Sequence, residues 1–397
     1  MTRIASLLLA SLVVVALMIS SRVRWNDDGA GLGLGGPPPL PVYTSDMARA
    51  AVRPASWTCG DADEVTPDPT SGYKTMFAFV HVYKAAGSTV RDYFRKYADL
   101  CGKSWLNLIS CTNMSSSEVR SADQNWNHCR VKEFLDGRNR VYENERMGGE
   151  RDDVDIFGGH FRIGTGDHIF GGTSDWAAPS VRYVVFLREP MDRFVSGILY
   201  QNAMKGDRGV IQLDEVVTLI KKRVRKSREA GKYWGKSLSY LLTPDEAPQF
   251  SKMRAMDGPK EQIEARALLA IDNLVRYPVI VGMAEDMAGS MRVLRHVLFH
   301  HFTSEKKRED VADLFEEFYG EGAASNKTHK TNVSERDGVS TALVLHELER
   351  DDDFMAIFEE YVKYEQMITD FAREMHAMQH AVVRQFQNKA ALHSTRY

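Results

Sequence analysis

A lysine, a glycine and two hydroxyl residues at fixed spacing carry the first chemical signal in the chain, Lys84-Ala85-Ala86-Gly87-Ser88-Thr89. The run ahead of it, Phe79-Val80-His81-Val82-Tyr83, is apolar enough for a buried strand. If a helix opens at Gly87, the amides of Gly87, Ser88 and Thr89 lie at its unsatisfied, partly positive end. A turn of that kind cradles a phosphate or a similar anion, and Lys84 adds a point charge. Gly87 is the residue expected to permit the tight turn. The order is not that of a Walker loop, where lysine stands directly before Ser or Thr. Here Lys84 precedes the glycine by three residues.

Two further segments end apolar runs in the same way. Tyr183-Val184-Val185-Phe186-Leu187 leads into Arg188-Glu189-Pro190, and proline suits the first turn of a helix. Ser196 follows Arg188 by eight residues, about two helical turns on, where it can share a phosphate with the guanidinium. The third segment is Phe157-Gly158-Gly159-His160, in which the glycines allow close approach of a ligand. An imidazole, with its ordinary pKa near 6.5, suits proton abstraction around neutral pH. Taken singly, each segment has a plain structural alternative: two helix starts and a satisfied histidine. His81 reads as packed core, and Glu189, an alternative base, as a helix-start residue.

In this order, and after strands, the segments resemble the sulfotransferases that use 3′-phosphoadenosine 5′-phosphosulfate (PAPS). The form His81-x-x-Lys84-x-x-Gly87-x-Thr89 with Leu187-Arg188-Glu189-Pro190 looks most like the Golgi carbohydrate branch, the heparan 2-O and 6-O and chondroitin sulfotransferases. The resemblance spans roughly residues 76–380 and is dense only at the motifs. It implies that Lys84, Gly87, Ser88 and Thr89 bind the 5′-phosphosulfate and that Arg188 and Ser196 hold the 3′-phosphate. It also implies that Lys84 neutralises the departing phosphate and that no metal is needed. His160 matches the second histidine of a His-Gly-His segment, the base in the 2-O branch. Gly158 stands at the first position, so any role of that first histidine is absent. A late segment, His329-Lys330-Thr331-Asn332, makes Lys330 a further phosphate contact. The acceptor implied is a carbohydrate hydroxyl, with protein tyrosine or lipid left open. Two alternatives stand beside this: a catalytically inactive sulfotransferase-like protein that binds a glycan or nucleotide, and a P-loop kinase. The second lacks both the Walker order and an evident magnesium-binding acidic strand end.

The elements that must position these residues alternate. Strands are expected at 76–83, 154–157, 181–187 and 278–282, with helices at 90–97, after Pro190, at 285–298 and at 353–385. That order predicts an α/β fold, a P-loop-like, mainly parallel sheet flanked by helices, with ligands at the carboxyl ends of the strands. The resemblance makes it a sulfotransferase fold. Residues 100–150 read as a polar insertion. The last helix carries an apolar stripe, Phe354, Ile357, Phe358, Tyr361, Tyr364, Ile368, Phe371 and Met375, expected to pack into the core. Lys221, Lys222, Arg223, Arg225, Lys226, Arg228 and Lys232 form a basic run, either a solvated face or a groove for an anionic polysaccharide.

With 397 residues, 43% of them apolar, the chain can bury one large core, and a net charge of −3 argues against a globally basic nucleic-acid binder. Ile4 to Ser21 is apolar and flanked by arginines, and it lacks a clear Ala-x-Ala cleavage site. It is expected to be a signal anchor, with a cleaved signal peptide as the rival reading; residues 1–24 form cytoplasmic tip and anchor, 25–72 a Gly/Pro-rich stem, 73–385 the lumenal domain and 386–397 a tail. This is the plan of a single-pass type II Golgi membrane protein. Cys59, Cys101, Cys111 and Cys129 suggest two disulfides, with three pairings possible. Sequons at Asn113, Asn326 and Asn332 agree with a lumenal address, although Asn332 beside a nucleotide would carry no glycan.

Overall fold

Runs of β-branched and aromatic residues build the sheet from which the chemical residues hang. A computed structural model describes residues 40–55, 57–60, 75–107, 155–170, 181–204, 212–243, 246, 258–298, 301–319 and 338–394. From the N-terminal side come α1 (Ser45–Ala51), β1 (Thr58–Cys59), β2 (Met76–Val80), α2 (Gly87–Leu100), β3 (Trp105–Asn107) and β4 (Ile156–Gly159). Then follow α3 (Thr165–Phe170), β5 (Val181–Leu187), α4 (Pro190–Met204), α5 (Leu213–Glu229), α6 (Ser237–Leu241) and α7 (Lys260–Arg276). The last are β6 (Val279–Met283), α8 (Met287–Leu298), β7 (His301–Phe302), α9 (Glu305–Tyr319), α10 (Thr341–Leu348) and α11 (Asp352–Ser394).

Five strands form one sheet in the order β3-β4-β2-β5-β6, and every neighbouring pair is parallel. All residues of β2, β4, β5 and β6 are buried, as a parallel sheet covered by helices on both faces requires. This explains why β5, Val-Arg-Tyr-Val-Val-Phe-Leu, is nearly continuous in apolar residues rather than alternating. The chain leaves β2 for β3 and β4 on one side, then crosses to β5 and β6 on the other. The direction of winding therefore changes between β2 and β5, the position at which open sheets of this kind form a crevice at the strands' carboxyl ends.

The expected α/β architecture is present, with differences in detail. β2 ends at Val80, so His81 to Tyr83 belong to the loop. The edge strand β3 falls inside the stretch expected to be an insertion; Trp105 to Asn107 pair with Ile156 to Gly158. β4 ends at Gly159 rather than residue 157, which puts both glycines inside the strand. α11 continues to Ser394 through much of the expected tail.

Residues 40–55 and 57–60, within the expected stem, belong to the unit that begins at Leu40. Thr44 caps α1, its hydroxyl accepting from the Met47 amide at 3.3 Å, and Tyr43, Ala48, Ala51, Val52, Ala55 and Trp57 are buried. β1 pairs with β7, and a disulfide joins Cys59 to Cys101 at the end of α2. That resolves one of the possible pairings; Cys111 and Cys129 lie outside the described residues, as do the three sequons. Among the described residues no helix is long and apolar enough to cross a membrane, and the expected anchor at residues 4–21 lies outside them.

Candidate functional site

The carboxyl ends of three adjacent strands, β4, β2 and β5, carry His160, the Lys84 loop and Arg188. Registered pairing of Val80 with both Gly159 and Val185 brings the three loops to one edge of the sheet. The crevice at the change of winding thus receives every described segment that the motifs single out.

The Lys84 loop is a strained turn. Lys84 and Ala86 both sit in the left-handed region, at φ 60° and 59°, each at a cost of about 1–2 kcal/mol for a residue with a Cβ. The Lys84 ammonium is buried without a hydrogen-bond acceptor and rests over the Tyr200 ring, 4.3 Å from its centroid. Burial, and then the nearby Arg188 guanidinium, pull its pKa down from 10.5 to about 8. Two cations from distant motifs therefore lie within electrostatic reach of one another, a repulsion that a nearby anion would relieve. Tyr83 packs on α4 as well: its ring lies 6.1 Å from that of Tyr200, and a Cβ at Gly197 would stand 3.5 Å from it.

Gly87 opens α2, but turning is not the reason for a glycine. The left-handed positions are Lys84 and Ala86, whereas a Cβ at Gly87 would fall inside the imidazole of His81. Ser88 and Thr89 lie half-buried in the first turn. The Thr89 amide donates to the Ala86 carbonyl at 3.1 Å, which commits it to closing that turn. Anion-facing amides are thus those ahead of Thr89, a narrower set than the sequence suggests.

Arg188 is half-buried at the end of β5 and lies 3.4 Å from Asp192 one turn into α4. Ser196 is completely buried two turns into that helix, part of its inner lining. Glu189 pairs with Arg373, and its amide donates to Glu285 at 2.8 Å. Lys330 lies outside the described residues.

His160 is about nine-tenths buried. Its Nδ1 lies 2.7 Å from the carbonyl oxygen of His81, so Nδ1 carries the proton and donates it there. The Tyr240 hydroxyl stands 3.2 Å from the same nitrogen. This tautomer leaves the lone pair on Nε2, the state a general base needs. Of the two glycines before it, Gly158 has a packing reason, because a Cβ there would press into the indole of Trp105 on the edge strand. Arg162, two residues on, is buried, and burial brings its pKa down from 12.5 to about 9, with nearby Tyr240 opposing.

One residue stands out that the sequence did not single out. Arg193 is fully buried, bonded to Glu365 of α11 and to the Ser237 hydroxyl, with its guanidinium 4.9 Å from the Trp234 ring centroid. Glu365 also accepts from the Ser237 amide at 3.0 Å. This network anchors α4, and with it Arg188 and Ser196. His81, read from the sequence as packed core, is buried with its ring stacked on that of His160, the centroids 4.3 Å apart. An arginine inside an apolar helix face was the available sign of Arg193.

No group of three or more metal-ligating side chains occurs among the described residues. A scan of the chain against protein-family models finds no match, and a sequence search of characterised proteins finds none either.

Proposed function

We propose that this protein is a PAPS-dependent O-sulfotransferase acting on a carbohydrate hydroxyl in the Golgi lumen. The observation that carries the reading is the convergence of Lys84 and Arg188 at the crevice between β2 and β5. The two are close enough that Arg188 helps to bring the Lys84 ammonium to about 8. A nucleotide with anionic groups at both its 5′ and 3′ positions offers a partner to each cation. The disulfide Cys59–Cys101 fits an oxidising compartment.

In this reading Lys84, still largely charged at neutral pH, neutralises charge on the departing 5′-phosphate. The left-handed backbone at Lys84 and Ala86 fixes the loop in advance, so little reorganisation accompanies the reaction. Arg188 and Ser196 hold the 3′-phosphate and orient the nucleotide. His160 Nε2 takes the acceptor hydroxyl proton as that oxygen bonds to sulfur and the bond from sulfur to the phosphate oxygen breaks. The products are a sulfate ester and 3′-phosphoadenosine 5′-phosphate.

Calorimetric titration of the full chain with 3′-phosphoadenosine 5′-phosphate, 5′-AMP and Mg-ATP tests the nucleotide assignment. The bisphosphate should bind at least about tenfold more tightly than 5′-AMP, and Arg188→Ala should erase the difference. Equal affinities, or a preference for Mg-ATP, would point to a different nucleotide chemistry.

A further inference from the structure

His81 joins the anion loop to the histidine at the end of β4. It lies just past β2, about 93% buried, with one face of its surroundings formed by Gly87 and another by His160. Its ring and that of His160 stack with centroids 4.3 Å apart and planes 23° from parallel. Its carbonyl oxygen accepts the Nδ1 proton of His160 at 2.7 Å. A Cβ at Gly87 would occupy the His81 ring, so the first residue of the anion-binding helix rests directly on the imidazole. His81 Nδ1 is buried with no hydrogen-bond partner, so the ring is not held by polar bonds of that nitrogen. Phe79, its rings 5.8 Å away and also stacked, continues the pile into the core.

We propose that His81 is a positioning residue that sets the orientation and tautomer of His160 and fixes it to the loop carrying Lys84 and Gly87. The inference rests on the sulfotransferase reading for its kinetic arm only. Its backbone carbonyl selects the Nδ1-H tautomer, and its ring prevents His160 from swinging out of line. Any shift of the loop at Gly87 passes through the ring to His160, because a packed interior leaves no room to absorb it. His160, Phe79 and, electrostatically, Arg91 face His81, and His81 and Tyr240 are among the groups facing His160. Burial first, then His160 and Arg91, hold the His81 imidazole well below 6.5, so it stays neutral beside a histidine that must gain a proton. A neutral, flat neighbour tolerates the imidazolium; a second charge there would oppose it.

The test uses the full chain in detergent, with His81→Ala and His81→Phe. His81→Ala should lower kcat about 10- to 100-fold while KM for PAPS stays within about threefold, since misplacement by roughly 1 Å costs turnover on this scale. Water then reaches His160, so the acid limb of the kcat profile should move to higher pH. His81→Phe restores a flat ring and should recover most of the loss. Unchanged kcat and an unmoved acid limb in His81→Ala would overturn the proposal. Equal losses in both variants would do so too, by making a His81 nitrogen the essential feature. Nitrogen-15 spectra of histidine-labelled wild-type protein supply an arm that needs neither a variant nor turnover. The Nδ1-H tautomer at His160 is expected, and the Nε2-H tautomer would contradict it. If the wild type transfers no sulfate to any acceptor, the sulfotransferase reading falls while the spectra still decide the histidine pair.

Discussion

Lys84 pays a desolvation penalty in the ligand-free protein, and that gives the site a pH signature of two opposite signs. Its pKa is lowered to about 8, so between about 8 and 10.5 the folded chain binds fewer protons than the unfolded one at this position. Ligand-free stability from this group should therefore rise as pH climbs from about 8 to 10.5 and be at its lowest, and flat, below about 8. Anion affinity runs the other way, full below about 8 and declining above it, because the bound phosphate needs the ammonium. Calorimetry near pH 8 in buffers of different ionisation enthalpy should detect proton uptake on binding 3′-phosphoadenosine 5′-phosphate. Lys84→Met should abolish that uptake, leave the ligand-free protein at least as stable, and cut turnover about 10²- to 10³-fold. A Lys84→Met protein that still takes up protons would remove Lys84 from the anion contact. At this scale the sequence revealed residue types better than their reasons. Lys84, Arg188 and His160 follow from strand ends, whereas Gly87 and Gly158 answer to side chains, His81 and Trp105, that only the folded sheet brings beneath them.

Among the elements, α11 acts as the spine. Its apolar stripe was legible from period alone, yet Glu365, Thr369, His376 and Gln379 are buried on it too, and a count of apolar positions overlooks them. Gln379 accepts from the Val281 amide at 3.0 Å and donates to the Val279 carbonyl at 2.7 Å, while His376 Nδ1 lies 2.9 Å from the Val281 carbonyl. The helix thereby covers the backbone of edge strand β6, which is otherwise open to pairing with another chain. Glu365 anchors α4 through Arg193, a buried pair whose attraction must offset the desolvation of both charges. Arg193→Met should destabilise the fold by about 3–5 kcal/mol, since Glu365 then loses its counter-charge. Adding Glu365→Leu should recover much of that loss in chemical unfolding. If the double variant is no more stable than the single, the pair contributes through geometry rather than compensated charge. The strands β2, β5 and β6 were readable because each is a short apolar run; β3 was not, because three residues in a polar stretch carry no period.

On the scale of the whole molecule, the disulfide and the basic helix define what lies outside the crevice. Cys59–Cys101 closes a loop of sequence separation 42, worth about 4 kcal/mol in the chain-entropy account. Reduction should lower stability by a few kcal/mol, measured as a shift in the denaturant midpoint at constant m-value. On α5 the basic run divides in two. Lys221 and Arg225 pair with Asp351, at 2.6 and 3.5 Å, and Arg228 with Glu360 at 3.4 Å, so these help dock α5. Lys222, Arg223 and Lys226 are exposed on the same helix. Lys222→Glu with Lys226→Glu should weaken binding of a sulfated glycan about tenfold at low salt and leave a neutral glycan unaffected. Equal binding of the sulfated glycan would make the run a solvated face. The proposed group transfer at the crevice between β2 and β5 is read out by incubating the full chain with radiolabelled PAPS and a panel of glycans. Label should appear in at least one glycan and vanish with Lys84→Met and His160→Ala; wild-type protein that binds PAPS yet labels none of the panel would rule out carbohydrate sulfation at this site.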